Sequence, residues 1–320
     1  MSDILGEISV KLAQILLPMI IFVGVSGNIL NIIILTRANL RNHACSKYFL
    51  ALASNNLLYS LFIIQYFLSN GFSIDGQTIS NISCKILQYI GSACPFLSPY
   101  FIVLASIDRF FASSSNVNIR SISNVTNATK SIIFIVICTL LFFINTLVLN
   151  EYRDDGYGCA IRPETLYNQI FYILQIILFA AIPPILMIFF GLLTIYNTTQ
   201  LQVNIQVTIR HRRTEGQLAR MLFLQVTIYI LLNMPMCIMY LMLTLPVGYI
   251  PTQEFFFVLS ISSILFNFSF ATTFFLYILT ARVYREELFR LISKVFHYRR
   301  ANQVQPMSTT RHPEVTRHRN

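Results

Sequence analysis

Few residues of this chain combine reactive chemistry with a placement that would let them use it. Asp108 and Arg109 close an apolar run, Leu104-Ala-Ser-Ile-Asp108-Arg109-Phe110. Ionisable groups against an apolar helix are expensive, so they are read as functional by default. Asp108 can hold Arg109 by a local ion pair. Glu215 precedes a later apolar run and could reach Arg109, clasping two helices together. The plainer reading is an arginine that snorkels to the interface. The five histidines, His43, His211, His297, His312 and His318, all lie outside the apolar runs. No metal-ligating or acid–base constellation emerges, so no enzyme, metal or cofactor is expected.

The elements that must position these residues follow from composition. Hydrophobic residues make up 55% of the 320 and charged residues only 11%, with a mean hydropathy of +0.62. A soluble domain carries about 25% charged residues, so the chain is expected to be a polytopic membrane protein. About 20 mostly apolar residues cross a bilayer as a helix. Seven such stretches occur, near 14–36, 47–69, 83–111, 131–149, 166–196, 218–245 and 253–280. The predicted fold class is an all-α membrane protein, a seven-transmembrane helix bundle. Its divisions are an extracellular N-terminus at 1–13, the bundle at 14–280, an amphipathic helix eight at 281–297 and a disordered cytoplasmic tail at 298–320.

Charge sets the orientation. With the N-terminus outside, the outer loops hold Lys11, Lys85, Arg153 and Arg162 against eight acidic residues, leaving nineteen basic and five acidic residues inside. This follows the positive-inside rule and makes nucleic acid an unneeded explanation for the net charge of +10. The bilayer is the expected environment, with the plasma membrane as the location. In 281–297 the apolar residues Val283, Tyr284, Leu288, Phe289, Leu291, Ile292, Val295 and Phe296 recur at helical spacing, with bases on the other face. Of six cysteines only Cys84 and Cys159 should face outside. They are expected to form a disulfide, the alternative being two free thiols.

Several short motifs now fall in one order. Asp108-Arg109-Phe110 resembles the Asp-Arg-Tyr triplet of rhodopsin-like (class A) G-protein-coupled receptors. Cys84, 25 residues earlier, matches that family's disulfide position. Gly27-Asn28, Leu52-Ala-Ser-Asn-Asn56, Pro183 or Pro184, Pro235 with Glu215 twenty residues before it, Tyr277, and Tyr284-Arg285 match the family's helix signatures. The resemblance covers about 14–297. It implies an extracellular ligand, outward motion of helix six from an Arg109–Glu215 clasp, and nucleotide exchange in a heterotrimeric G protein. Asp108, Arg109, Glu215 and Tyr277 would form the activation switch.

The departures matter as much. The chain has no tryptophan. Asn233 stands two residues before Pro235, where the family has one, and Tyr229 is the candidate replacement. Thr273-Phe274 replaces Asn-Pro in helix seven, so a straighter helix is expected. Asn56 replaces the family's aspartate. With Asn28, Ser98, Ser269 and Thr273 it would form a mid-bundle polar site with no formal charge, which predicts weak or no sodium binding. Pro95 and Pro99 predict a bend in helix three.

Ligand classes are narrowed by what is missing. No lysine occurs in 253–280, which disfavours retinal. Gly91 stands where amine receptors of the family carry an aspartate. No buried Arg or Lys marks a lipid head site. The mouth offers Tyr66, Gln88, Ser92, Asn233, Met236, Tyr240, Ser263 and Asn267, with Asn70, Asn168 and Gln169 nearby. The outer loops add Glu151, Asp154, Asp155, Glu164 and Glu254, an acidic rim that favours cations. A small basic or amidated neuropeptide is the expected ligand. A chemosensory receptor for small organic ligands is the alternative, and a membrane transporter is the alternative from another class.

Overall fold

The computed structural model describes residues 2–153, 158–160, 166–204, 209–244, 252–280, 282, 284–291 and 293. The helices are α1 (Ser2–Leu35), α2 (Ala44–Phe72), α3 (Asn81–Ala112) and α4 (Val125–Phe142, continued by Ile144–Leu149). A hairpin follows, β1 (Glu151–Arg153) and β2 (Gly158–Ala160). Next come α5 (Leu166–Ile176, a π-turn at Ile177–Ala181, then Ile182–Asn204) and α6 (Ile209–Thr244). The last span is α7 (Gln253–Ser269 and Thr273–Thr280), after which 284–291 form α8. Among the described residues, six helices are long and apolar enough to cross a membrane, and the bent pair of α7 makes a seventh span.

The sequence drives this in a simple way. Lipid offers no hydrogen bonds, so each span satisfies its own backbone as a helix. Starts are capped where the sequence allows: Ser80 accepts from Ser83 N, Asn124 from Asn127 N and Thr252 from Phe255 N. The helix begins at Ser2, not near Gln14, so the residues expected as an N-terminal segment continue α1 by three turns. α3 packs against α2, α4, α5 and α6 and is the centre of the bundle, while α6 and α1 flank α7. Phe22, Phe134 and Ile185, by contrast, point outward and are exposed, as lipid-facing residues should be. In lipid, helices associate by close packing. At Gly27 a Cβ would sit 3.0 Å from Phe274 Cβ, so glycine lets α1 and α7 meet.

The expectation of a straighter helix seven is wrong. α7 bends by 51° at 270–272 even without proline. Three successive amides there, Phe270, Ala271 and Thr272, bond to carbonyls three residues back rather than four. The Ser269 and Thr272 hydroxyls take the carbonyls of Phe266 and Ser269, and Asn28 Nδ2 takes Phe270 O at 3.1 Å. Side-chain competition for backbone groups breaks the helix. α3, conversely, runs unbroken through Pro95 and Pro99. Asn55 on α2 supports that stretch by donating to Cys94 O (2.7 Å) and Ser98 Oγ (2.8 Å).

Candidate functional site

The hairpin end of the bundle is tied down twice by α3. Cys159 is bonded to Cys84, as expected from the sequence. One turn earlier, Asn81 Oδ1 accepts from Tyr152 N at 2.8 Å, next to the Tyr152–Cys159 register pair. The hairpin therefore lies across the mouth. Below it, Tyr59, Asn267, Ser263 and Met236 form one bonded set. Tyr59 donates to Asn267 Oδ1 (3.1 Å), Asn267 to Ser263 O (2.8 Å) and Ser263 to Met236 Sδ (3.4 Å). Tyr66 neighbours Ser263. Gln88 and Ser92 stand half-buried on α3, outside this set, and Tyr240 is 48% exposed. The side chains of Asn168 and Gln169, and residues Asp154, Asp155, Arg162 and Glu164, lie outside the described residues. Glu254 is exposed at the start of α7.

Gly91 has a physical reason beyond the lack of an aspartate. A Cβ there would lie 2.8 Å from Phe62 Cζ. Phe62 stacks on Tyr59 at 5.8 Å and fills the space that a larger residue at 91 would need. Sequence reasoning missed Phe62 and Tyr59 because a phenylalanine in an apolar helix carries no signal of its own.

At mid-bundle the predicted polar residues divide into two bonded groups. Ser98 Oγ donates to Asn56 Oδ1 (2.8 Å), joining α3 to α2. Thr273 Oγ1 donates to Asn28 Oδ1 (3.2 Å), joining α7 to α1. Asn31, one turn after Asn28, meets Thr273 and accepts from the Tyr284 hydroxyl of α8. Burial pushes the Tyr284 phenol up, so it remains a donor at neutral pH. Asn31 was legible: Asn28 and Asn31 share a face at i, i+3. Ser269 lies 3.5 Å from Asn233 Oδ1, while its hydroxyl serves Phe266 O at 2.7 Å. Asn233 itself donates to Tyr229 O.

Tyr229, the candidate replacement for the missing tryptophan, does something specific. Near Pro183 and Pro184 the ladder of α5 shifts to five-residue spacing, with Ile182 N bonded to Ile177 O. In that register the amides facing Leu178 O and Phe179 O would belong to Pro183 and Pro184, which have none. Tyr100 on α3 donates to Leu178 O (2.8 Å) and Tyr229 on α6 to Phe179 O (3.2 Å). Two tyrosines thus supply the donors two prolines remove, and they join α3, α5 and α6.

At the opposite end from the hairpin, Arg109 Nη2 lies 3.0 Å from Asp108 Oδ2. Both side chains are about 5% exposed or less, so Arg109 does not snorkel. Asp108 Oδ1 accepts from Ser123 at 2.7 Å, an anchor the sequence did not suggest. Tyr277 is 1% exposed and packs on Phe49 (5.2 Å) and Tyr284 (5.6 Å). Glu215 lies on α6, and its side chain is outside the described residues.

The family described as 7 transmembrane receptor (rhodopsin family) matches residues 27–280. The chain belongs to the rhodopsin family of seven-transmembrane receptors. A "Probable G-protein coupled receptor B0563.6" of Caenorhabditis elegans is 24% identical over 159 residues, 48% of this receptor and 36% of that protein. The receptor therefore aligns with about a third of that relative's length. Membership makes it a multi-pass membrane receptor and not a member of an enzyme class, which agrees with the buried Asp108–Arg109 pair, the bridged hairpin and the seven spans.

Proposed function

We propose that the receptor binds a small basic or amidated peptide at the hairpin end and activates a heterotrimeric G protein at the Arg109 end. The N-terminus is outside and the protein sits in the plasma membrane, with residues 1–13 extracellular and 298–320 a cytoplasmic tail. One observation carries the choice of ligand: below the hairpin the helices bring together neutral hydrogen-bonding and aromatic groups, Tyr59, Tyr66, Ser263 and Asn267, while Phe62 fills the space beside Gly91. Such walls suit amide and aromatic groups. The described outer acids Glu151 and Glu254 supply attraction for cations.

Mechanism follows from differential affinity. An agonist opens the bundle only if it binds the open state better than the closed one. The groups that must rearrange are those joining α6 to its neighbours: Tyr229 to α5, Asn233 and Met236 to α7, and a Glu215–Arg109 clasp to α3. The test is a panel of amidated basic peptides set beside small organic ligands, read by nucleotide exchange in a panel of heterotrimers. Exchange driven by the peptides supports the proposal. Exchange driven only by small organic ligands assigns a chemosensory role and sinks the peptide reading.

A further inference from the structure

At the end opposite the hairpin, a groove of about 680 Å³ runs between α8 and the link from α1 to α2. Arg37 borders it on one side, and Glu287, Phe289, Arg290, Leu291 and Ser293 on the other. The arginines at this end are not alike. Arg282 pairs with Glu286 (2.8 Å), and Arg285 caps α7 by donating to Ile278 O (2.8 Å) and Leu279 O (3.0 Å). Arg290 gives an Nη1 bond to Glu287 (2.6 Å) and keeps most of its five N–H donors for another partner. Arg37 is half-buried, and its guanidinium bonds to nothing among the described residues. A guanidinium drawn partly out of water without an acceptor is costly. The one acid on the groove, Glu287, is buried and engaged with Arg290, so the wall keeps a net positive charge.

We infer that this groove binds a phosphoinositide, a membrane lipid whose head carries more than one phosphate. The planar fork of a guanidinium takes phosphate oxygens two at a time. Arg37 and Arg290 stand on separate elements of one groove. A head with several phosphates can engage both, whereas a single phosphodiester satisfies one. The Ser293 hydroxyl adds a further donor. Phe289, 65% exposed, and Leu291 give the same groove an apolar side. That side suits an acyl chain and has no use for a soluble phosphate. The place in the fold agrees: α8 follows directly from the last span, and an amphipathic helix there lies at headgroup depth. Arginines next to an anionic leaflet are attracted to it. The lipid source rests on the orientation proposed above, with this end at the cytoplasmic leaflet. A bound head would tie α8 to the link that follows α1.

Native mass spectrometry of the full-length receptor in micelles, titrated with phosphatidylinositol bisphosphate, reads the site. The lipid should bind in preference to phosphatidylserine. Arg37→Gln should weaken it about tenfold, the worth of one charge-assisted bond. Thermal unfolding of that variant without the lipid should match the parent, because the Arg37 guanidinium holds no described group. Arg282→Gln removes the same charge outside the groove and should leave binding nearly unchanged. Equal losses in the two variants would show a diffuse basic surface and overturn the site. Phosphatidylserine binding as tightly as the phosphoinositide, or soluble inositol trisphosphate as tightly as the lipid, would overturn the choice of ligand. Micelles have no sides, so these results are independent of the proposed orientation and of the peptide reading.

Discussion

Replacing Tyr229 by Phe removes one hydroxyl and leaves the ring's edge-to-face contact with Phe179, whose centroid is 6.0 Å away. What is lost is a 3.2 Å hydrogen bond to Phe179 O. That carbonyl faces Pro184, which has no N–H, so it would be buried without a donor. Unsatisfied buried groups cost about 1–3 kcal/mol, whereas side-chain hydrogen bonds within membranes average about 0.6 and reach about 1.7 kcal/mol. An orphaned carbonyl belongs at the upper end of the membrane range, so the expected loss is about 1–1.5 kcal/mol. Equilibrium unfolding in mixed micelles measures it. The decisive arm is a double-mutant cycle with Pro184→Ala. Restoring an N–H at 184 gives Phe179 O its own donor, and Tyr229→Phe should then cost little. The same logic pairs Tyr100→Phe with Pro183→Ala through Leu178 O. Equal costs of Tyr229→Phe in the two backgrounds would show that the tyrosine does not substitute for the proline's missing donor.

Three further outcomes are expected. Asp108→Asn weakens the hold on Arg109 and should raise basal nucleotide exchange, with Ser123→Ala doing so to a lesser degree because it removes only the anchor of Asp108; unchanged basal exchange in both variants would count against a restraining pair. Gly91→Ala places a methyl 2.8 Å from Phe62 Cζ and should destabilise by about 1–3 kcal/mol, with Phe62→Leu restoring much of the loss in thermal unfolding. Burial raises the Tyr284 phenol above its ordinary value of 10.0, so the unfolded chain releases this proton first. The stability it contributes is present below about pH 10 and falls as pH rises beyond that; Tyr284→Phe should flatten this alkaline fall.

Much of the fold was legible because lipid allows few solutions. An apolar run of sufficient length must be a helix, and the asymmetry of lysine and arginine orders the loops. The Cys84–Cys159 bridge was legible for a similar reason: topology left two candidates. The bend of α7 was misread because only proline was considered. Ser269, Thr272 and Asn28 achieve it together, and Asn28 is some 240 residues away in sequence, so no local pattern could show it. The tyrosine donors to α5 were hidden likewise. Prolines 183 and 184 announced missing amides, but which hydroxyls would answer depended on how α3 and α6 approach α5.

On the proposed function, this receptor signals by releasing α6 from a resting bundle in response to a peptide. Spin labels at the Arg109 end of α3 and at the matching end of α6, in nanodiscs with G protein present, measure that separation directly. The α3–α6 distance should lengthen when an amidated basic peptide from the panel is added, with nucleotide exchange rising in step and both changes lost in Arg109→Ala. A peptide that drives exchange while the α3–α6 distance stays fixed would contradict it.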